Sequence, residues 1–217
     1  MMPNPTMAIP GSIPIILIVT SLPIIGYNVI MTTNWFGVVG RNGSGKSTVC
    51  EYLVSKGYQV YSLSDVVRQY ATQAGLVHDR DTLTSLANQL KTDHGTDFFA
   101  QSVVQSAKGQ ALVVFDSIRH PSEIAYLRSH HVQFIGVECS LKDCYDRIVR
   151  RGKTTDFVSF EDFKRQDEYE MNGNSFGQLI SECLALCDQT IHNNGDLRNL
   201  YDALDDMLVD MGASNVK

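Results

Sequence analysis

Gly40-Arg41-Asn42-Gly43-Ser44-Gly45-Lys46-Ser47-Thr48 stands behind the apolar run Trp35-Phe36-Gly37-Val38-Val39 and ahead of Val49-Cys50-Glu51-Tyr52-Leu53. Its first eight residues match G-x-x-x-x-G-K-[ST] at every fixed position. The flanking patterns predict a strand before it and a helix after it, the context of a phosphate-binding loop. The glycines let consecutive N–H groups, together with the positive end of the following helix, close round an anion. Residues Gly40 to Thr48 are therefore the expected contacts of a nucleoside triphosphate. Lys46 would reach the β- and γ-phosphates, and Ser47 would hold Mg²⁺.

At 217 residues the chain has the length of one ordinary α/β domain. Eighteen basic and 24 acidic side chains leave a net charge of −6, which argues against a protein that grips DNA or RNA through a broad basic face. Any positive field must be local. The five cysteines, Cys50, Cys139, Cys144, Cys183 and Cys187, are odd in number and contain no C-x-x-C pair. That is the usage of a reducing cytosol, so a cytoplasmic protein is expected. Cys183 and Cys187 read as buried thiols rather than a metal site.

Residues 13–31 contain no charged side chain, close to the length of a membrane span. No Lys or Arg precedes Arg41, however, and Pro14 and Pro23 interrupt the run. The strand of the phosphate loop also begins within a few residues of Met31. Three readings are open: a translated upstream segment with the natural start at Met31, an apolar extension, or an anchor. Residues 1–30 are taken as the extension and 31–217 as the domain, and a membrane role is not the expected one.

After the loop, a helix is predicted over 46–56 with Gly57 as its stop, and a short strand over 59–63. Ser64 and Asp65 are expected to cap the next helix. Helical patterns over 81–94 and 96–107 form an insert before a continuous apolar strand, 111–116, that ends in Asp116. A carboxylate at that strand end, beside the phosphate loop, is the expected second Mg²⁺ ligand. A helix over 124–129 and a strand over 132–139 follow. Ser140 and Asp143 read as a capping box, stapled by Cys139 and Cys144. The helix it opens carries Arg147, Arg150 and Arg151, whose i, i+3, i+4 spacing places them on one side as a compact anion site. They lead into the polar segment 152–156, suited to a mobile lid. A second capping box, Ser159 with Asp162 and stapled by Val158 and Phe163, starts a charged helix through Glu170. A flexible stretch at 172–174, a helix over 176–186, a strand over 190–192, a turn over 193–196 and a helix to Met211 complete the domain.

Six stretches carry a family likeness: GRNGSGKST (40–48), LSDVVRQ (63–69), FDSIRHPSE (115–123), RIVRRG (147–152), FEDFKRQDE (160–168) and CDQTIHNNGDL (187–197). Through them the chain from about residue 34 to 208 resembles the P-loop kinases of the adenylate kinase and dephospho-CoA kinase superfamily. The likeness extends to a dephospho-CoA-kinase-like or nucleoside-monophosphate-kinase-like group that also occurs fused to deoxycytidylate deaminase. The resemblance implies a three-layer α/β sandwich with a five-stranded parallel sheet, ATP and Mg²⁺ on the loop, a helical acceptor-binding insert and a closing lid. It also implies acceptor-side roles for Asp65 and Arg68, an acceptor-phosphate role for Arg119, and a turn near the adenine at Asn194 and Gly195. The chain departs from dephospho-CoA kinases in having Asp-Ser-Ile-Arg after the third strand, and it has no zinc-deaminase signature.

The expected activity is ATP- and Mg²⁺-dependent phosphoryl transfer to a small nucleotide acceptor, foremost a (deoxy)nucleoside monophosphate. Lys46, Asp116, Arg119 and one or more of Arg147, Arg150 and Arg151 would do the chemical work. Asp65 separates the alternatives. A ribose hydroxyl, as in dephospho-CoA, would use it as a base, a phosphate acceptor needs none, and a bare helix cap needs neither. A non-catalytic nucleotide switch is the alternative from another class. No sequence signal addresses self-association.

Overall fold

The structure, a computed structural model, describes residues 34–152, 159–173 and 178–213. The readings placed on residues 1–30, on most of the lid segment, on Val158 and on Asn174 lie outside the described residues.

Five parallel strands form one sheet in the order β2-β3-β1-β4-β5. They are β1 (Asn34–Val39), β2 (Gln59–Ser62), β3 (Leu112–Asp116), β4 (Gln133–Glu138) and β5 (Gln189–His192). Between their polar end residues the β1, β3 and β4 runs are apolar because both faces are covered, as in parallel sheets generally. Successive residues point to opposite faces. Val113 and Phe115 enter one core with Phe134, and Val114 enters the other with Phe36, Val38, Ile135 and Val137.

The helices sort by face. α1 (Lys46–Ser55) and the C-terminal α9 (Leu197–Asp210) cover the second core. The first is covered by α2 (Leu63–Gln73), α3 (Arg80–His94), α4 (Phe98–Ala107), α5 (Pro121–Ser129) and α8 (Ile180–Ala185). α6 (Leu141–Arg151) and α7 (Phe160–Met171) share a small third cluster of Cys144, Ile148 and Phe163.

Several boundaries differ from the sequence expectation, each for a local reason. β2 ends at Ser62, which is the N-cap of α2, so Ser64 and Asp65 lie inside the first helical turn rather than capping it. α3 starts one residue earlier because the Asp79 carboxylate accepts from Thr82 N. α5 starts at Pro121 rather than residue 124. Pro at the first helical position has no N–H to leave unsatisfied, and His120 and Glu123 form a capping box there. Ser140 and Ser159 do cap α6 and α7, accepting from Asp143 N and Asp162 N. Cys139 and Cys144 sit where a staple was expected but are joined as a disulfide, which departs from the cysteine usage of a reducing cytosol expected from the sequence. Cys50, Cys183 and Cys187 are free.

Candidate active site

Strand order places β1 at the centre, so the loop after it emerges between the C-terminal ends of β3 and β4, where open α/β sheets bind ligands. Gly43 (φ 82°) and Gly45 (φ 105°) both adopt the left-handed region. A Cβ on Gly43 would run into the backbone of Cys144, and one on Gly45 into the Asn193 side-chain amide. The loop is thus pressed against the first turn of α6 and the β5–α9 turn, at positions only glycine can occupy. Asn193 Nδ2 donates to Ser44 O at 2.8 Å. Arg147 donates to Ser44 O (3.2 Å) and to Asn193 O (2.7 Å). Asn194 accepts from Ser140 N (3.0 Å), and Gly195 lies against the Asn199 side chain. Arg147 therefore braces the loop from behind. Arg150 and Arg151 are exposed at the end of α6, and of the two only Arg151 lines the cavity described below.

Lys46 opens α1 and its Nζ donates to Arg41 O at 2.8 Å, with Ser47 exposed and Thr48 half-buried beside it. Burial pushes the Lys46 ammonium down to about 8. The positive charge of Arg119 adds to this, while Asp116 and Glu170 oppose it. An anion binds the protonated form, so nucleotide affinity is expected to be flat below pH 8. It should fall by up to about tenfold per pH unit above that, as the free-protein ammonium deprotonates. Calorimetric titration of ATP from pH 6.5 to 9.5 measures the slope; an affinity independent of pH over that range would contradict it.

Asp116 ends β3, in register with Ser62 on β2. Its Oδ2 accepts from Ser117 Oγ at 3.3 Å, but its Oδ1 is buried with no hydrogen-bond partner. Ser117 holds a left-handed backbone (φ 64°), a conformation that costs a non-glycine residue of order 1–3 kcal/mol. A buried carboxylate oxygen left unpaired is unfavourable unless a cation completes it. Asp116 and Ser47 therefore fit the donor set expected for Mg²⁺. Among the described residues no cluster of three or more His, Cys, Asp and Glu forms a separate metal site.

A cavity of about 440 Å³ runs from Gly40, Asn42 and Lys46 to the helical insert. Arg119 lines it, with Nη1 donating to Gln178 Oε1 at 2.7 Å and its own N–H donating to Glu123. Arg68 lines it from α2, donating to Ser64 Oγ (2.7 Å) and Asp65 (2.8 Å). Asp65 itself is 71 % exposed and is not part of the wall; of the other expected site residues it meets Arg68, in that ion pair.

Three features were not singled out in the sequence. Asn193, one residue before the expected Asn194-Gly195 pair, makes the direct contact with the loop. On α7, Asp167 pairs with Arg41 of the loop (3.0 Å), its carboxyl raised by burial against the pull of that arginine. Glu170, also on α7, pairs with Arg80 of the insert. The i, i+3 spacing of these two acids was the available signal, since it puts them on one helix face. The third is a buried ion pair, Lys91 with Glu123.

Among the described residues no helix is long and apolar enough to cross a membrane. A family model described as AAA domain matches residues 37–169. A UPF0200 protein of Methanoregula boonei is 30% identical over 182 residues, 82% of this chain and 97% of the relative. A UPF0200 protein of Pyrobaculum aerophilum is 33% identical over 162 residues, 74% of this chain and 87% of the relative. Among solved structures, TT1252 from Thermus thermophilus aligns with a TM-score of 0.59 and 21% identity, over 82% of this chain and 98% of that one. A shikimate kinase from Acinetobacter baumannii in complex with shikimate aligns at 0.51 and 15%, over 87% and 98%. At these identities the structural matches establish the fold, that of a P-loop kinase-like domain.

Proposed function

The chain belongs to the AAA-domain family and to the UPF0200 proteins, and from that premise we propose that it transfers the γ-phosphoryl group of ATP to a (deoxy)nucleoside monophosphate. The observation that carries this is the single cavity joining the phosphate loop to a cationic acceptor wall whose carboxylates are already engaged. Glu123 accepts from two backbone N–H groups and is ion-paired with Lys91, and Glu170 accepts from Arg80. Asp65, the base a hydroxyl acceptor would use, is largely exposed, lies outside the cavity lining and is held in an ion pair with Arg68. An acceptor that arrives with an ionised oxygen needs no base, and a 5′-phosphate is such an acceptor. This favours a monophosphate over the ribose hydroxyl of dephospho-CoA.

In this mechanism the loop N–H groups and Lys46 hold the donor phosphates, and Arg119 and Arg68 hold the acceptor phosphate in line. An acceptor oxygen forms a bond to the γ-phosphorus as the bond to the ADP oxygen breaks. Positive charge and exact placement supply the rate, with little covalent work by the protein. Mg²⁺ held by Asp116 and Ser47 would neutralise charge on the phosphate oxygens. Arg151, at the cavity edge, is placed to add charge over the transferring group, and Arg150 beside it to extend that field. Arg147, in keeping with its brace, shapes the donor loop. Asn194 and Gly195 would flank the adenine. On this reading 31–217 is the kinase domain and 1–30 an extension.

Steady-state ADP release with ATP, Mg²⁺ and a panel of nucleoside monophosphates and dephospho-CoA tests the acceptor. Turnover of a monophosphate supports the proposal, and turnover of dephospho-CoA alone rejects it. Arg119→Ala is expected to raise the acceptor KM by roughly 10- to 100-fold, the worth of a charge-assisted hydrogen bond, with kcat changed much less. An unchanged acceptor KM would remove Arg119 from the acceptor site.

A further inference from the structure

The cavity lining includes the apolar side chains Leu83, Ala87, Phe99 and Ile180, with Thr84 and Asn88 beside them on α3. Set into that lining is one ion pair, Lys91 Nζ to Glu123 Oε1 at 3.3 Å. Lys91 is 6 % exposed and Glu123 2 %. Two charges taken out of water gain less from each other than they lose unless further partners satisfy them, so a buried pair contributes little net stability. What each group has left to offer is readable. Glu123 Oε2 is filled by the N–H groups of Arg119 (2.8 Å) and His120 (3.1 Å), whereas Oε1 takes only Lys91 and keeps a lone pair. The Lys91 ammonium spends one proton on Glu123 and lies 5.8 Å from the centre of the Phe99 ring, which leaves donors over. The pair thus presents a donor and an acceptor side by side in the cavity lining, next to the apolar side chains and the Arg119 backbone.

We infer that Lys91 and Glu123 form the specificity element of the acceptor site and read the hydrogen-bonding edge of a nucleobase. A base edge carries a ring nitrogen or carbonyl beside an N–H, the complement of this pair, and its flat faces suit the apolar side chains. A sugar phosphate also carries donors and acceptors, in its hydroxyls, but lacks the flat apolar body and the fixed in-plane edge. A slot whose polar groups go unpaired rejects a ligand lacking their partners far more strongly than an apolar pocket rejects a smaller one. Glu123 also holds the Arg119 backbone, so the same side chain that reads the base sets the height of the phosphate-binding arginine. This inference rests on the phosphotransfer function proposed above.

Calorimetric binding to the full chain separates the two. The probes are the nucleoside monophosphates of each base, ribose 5-phosphate, and a purine riboside 5′-monophosphate whose base lacks exocyclic groups. At least one nucleoside monophosphate is expected to bind at least tenfold tighter than ribose 5-phosphate, with the purine riboside phosphate falling on the ribose 5-phosphate side of that gap. In Lys91→Met the favoured nucleotide should weaken at least tenfold while ribose 5-phosphate moves less than twofold. A gap under tenfold, a purine riboside phosphate that binds like the favoured nucleotide, or an equal loss for both ligands in Lys91→Met overturns the inference. The wild-type arm decides even where the variant does not fold. Transfer assays run in parallel distinguish the two failures: equal phosphorylation of ribose 5-phosphate and nucleotides removes the base reader and keeps the kinase, whereas selective binding without transfer does the reverse.

Discussion

Lys46→Ala is expected to lower kcat/KM for ATP-dependent transfer by about 10³-fold, with the fold intact. The ammonium sits at the start of α1, where its charge adds to the loop N–H groups, and Arg41 O is its hydrogen-bond partner. That single backbone contact is minor for stability, since the loop is held by Asn193, Arg147 and the close approach of Gly43 to Cys144. Removing a buried ammonium also relieves its desolvation cost. The variant should therefore melt no lower than the parent while losing transfer. Coincident loss of folding and activity would mean that Lys46 is part of the scaffold, and retained activity would remove it from the donor site.

Asp116→Asn is expected to cost about 10²–10³-fold in kcat, because the amide keeps the size of the carboxylate but not its charge or its affinity for a hard cation. Raising the Mg²⁺ concentration should restore only part of the rate. A second readout is independent of turnover. The Asp116 charge raises the Lys46 pKa, so in the variant that pKa drops below about 8 and the alkaline loss of ATP affinity moves to lower pH. An unshifted pH edge together with unchanged Mg²⁺ dependence would place Asp116 outside the donor site.

The frame of the fold was legible because local and global signals agreed. The continuous apolar runs ending at Val39 and Asp116 could only be covered strands, and the loop motif fixed where the first helix began. Boundaries slipped where one residue type serves two uses. Leu63 extends the β2 pattern but opens α2, and Pro121 reads as a breaker unless it is recognised as a first helical residue. The donor half of the site is local in sequence and so was visible. Its bracing was less so: Arg147 has the spacing of a phosphate ligand, and only the fold shows it holding the loop 103 residues away. The cavity wall beyond the loop draws on α2, α3, β3–α5 and α7, and no sequence spacing brings Lys91 to Glu123 or Asp167 to Arg41. Asp65, in the LSDVVRQ stretch, is exposed on α2 and meets the cavity wall through its ion pair with Arg68.

The central claim is that the γ-phosphoryl group of ATP passes to the phosphate of a nucleotide acceptor. Phosphorus NMR of the wild-type protein with ATP, Mg²⁺ and the nucleoside monophosphate it binds most tightly observes this directly. The account predicts the doublets of a new nucleoside diphosphate growing in step with ADP; only inorganic phosphate, or no change in the ATP signals, would contradict it.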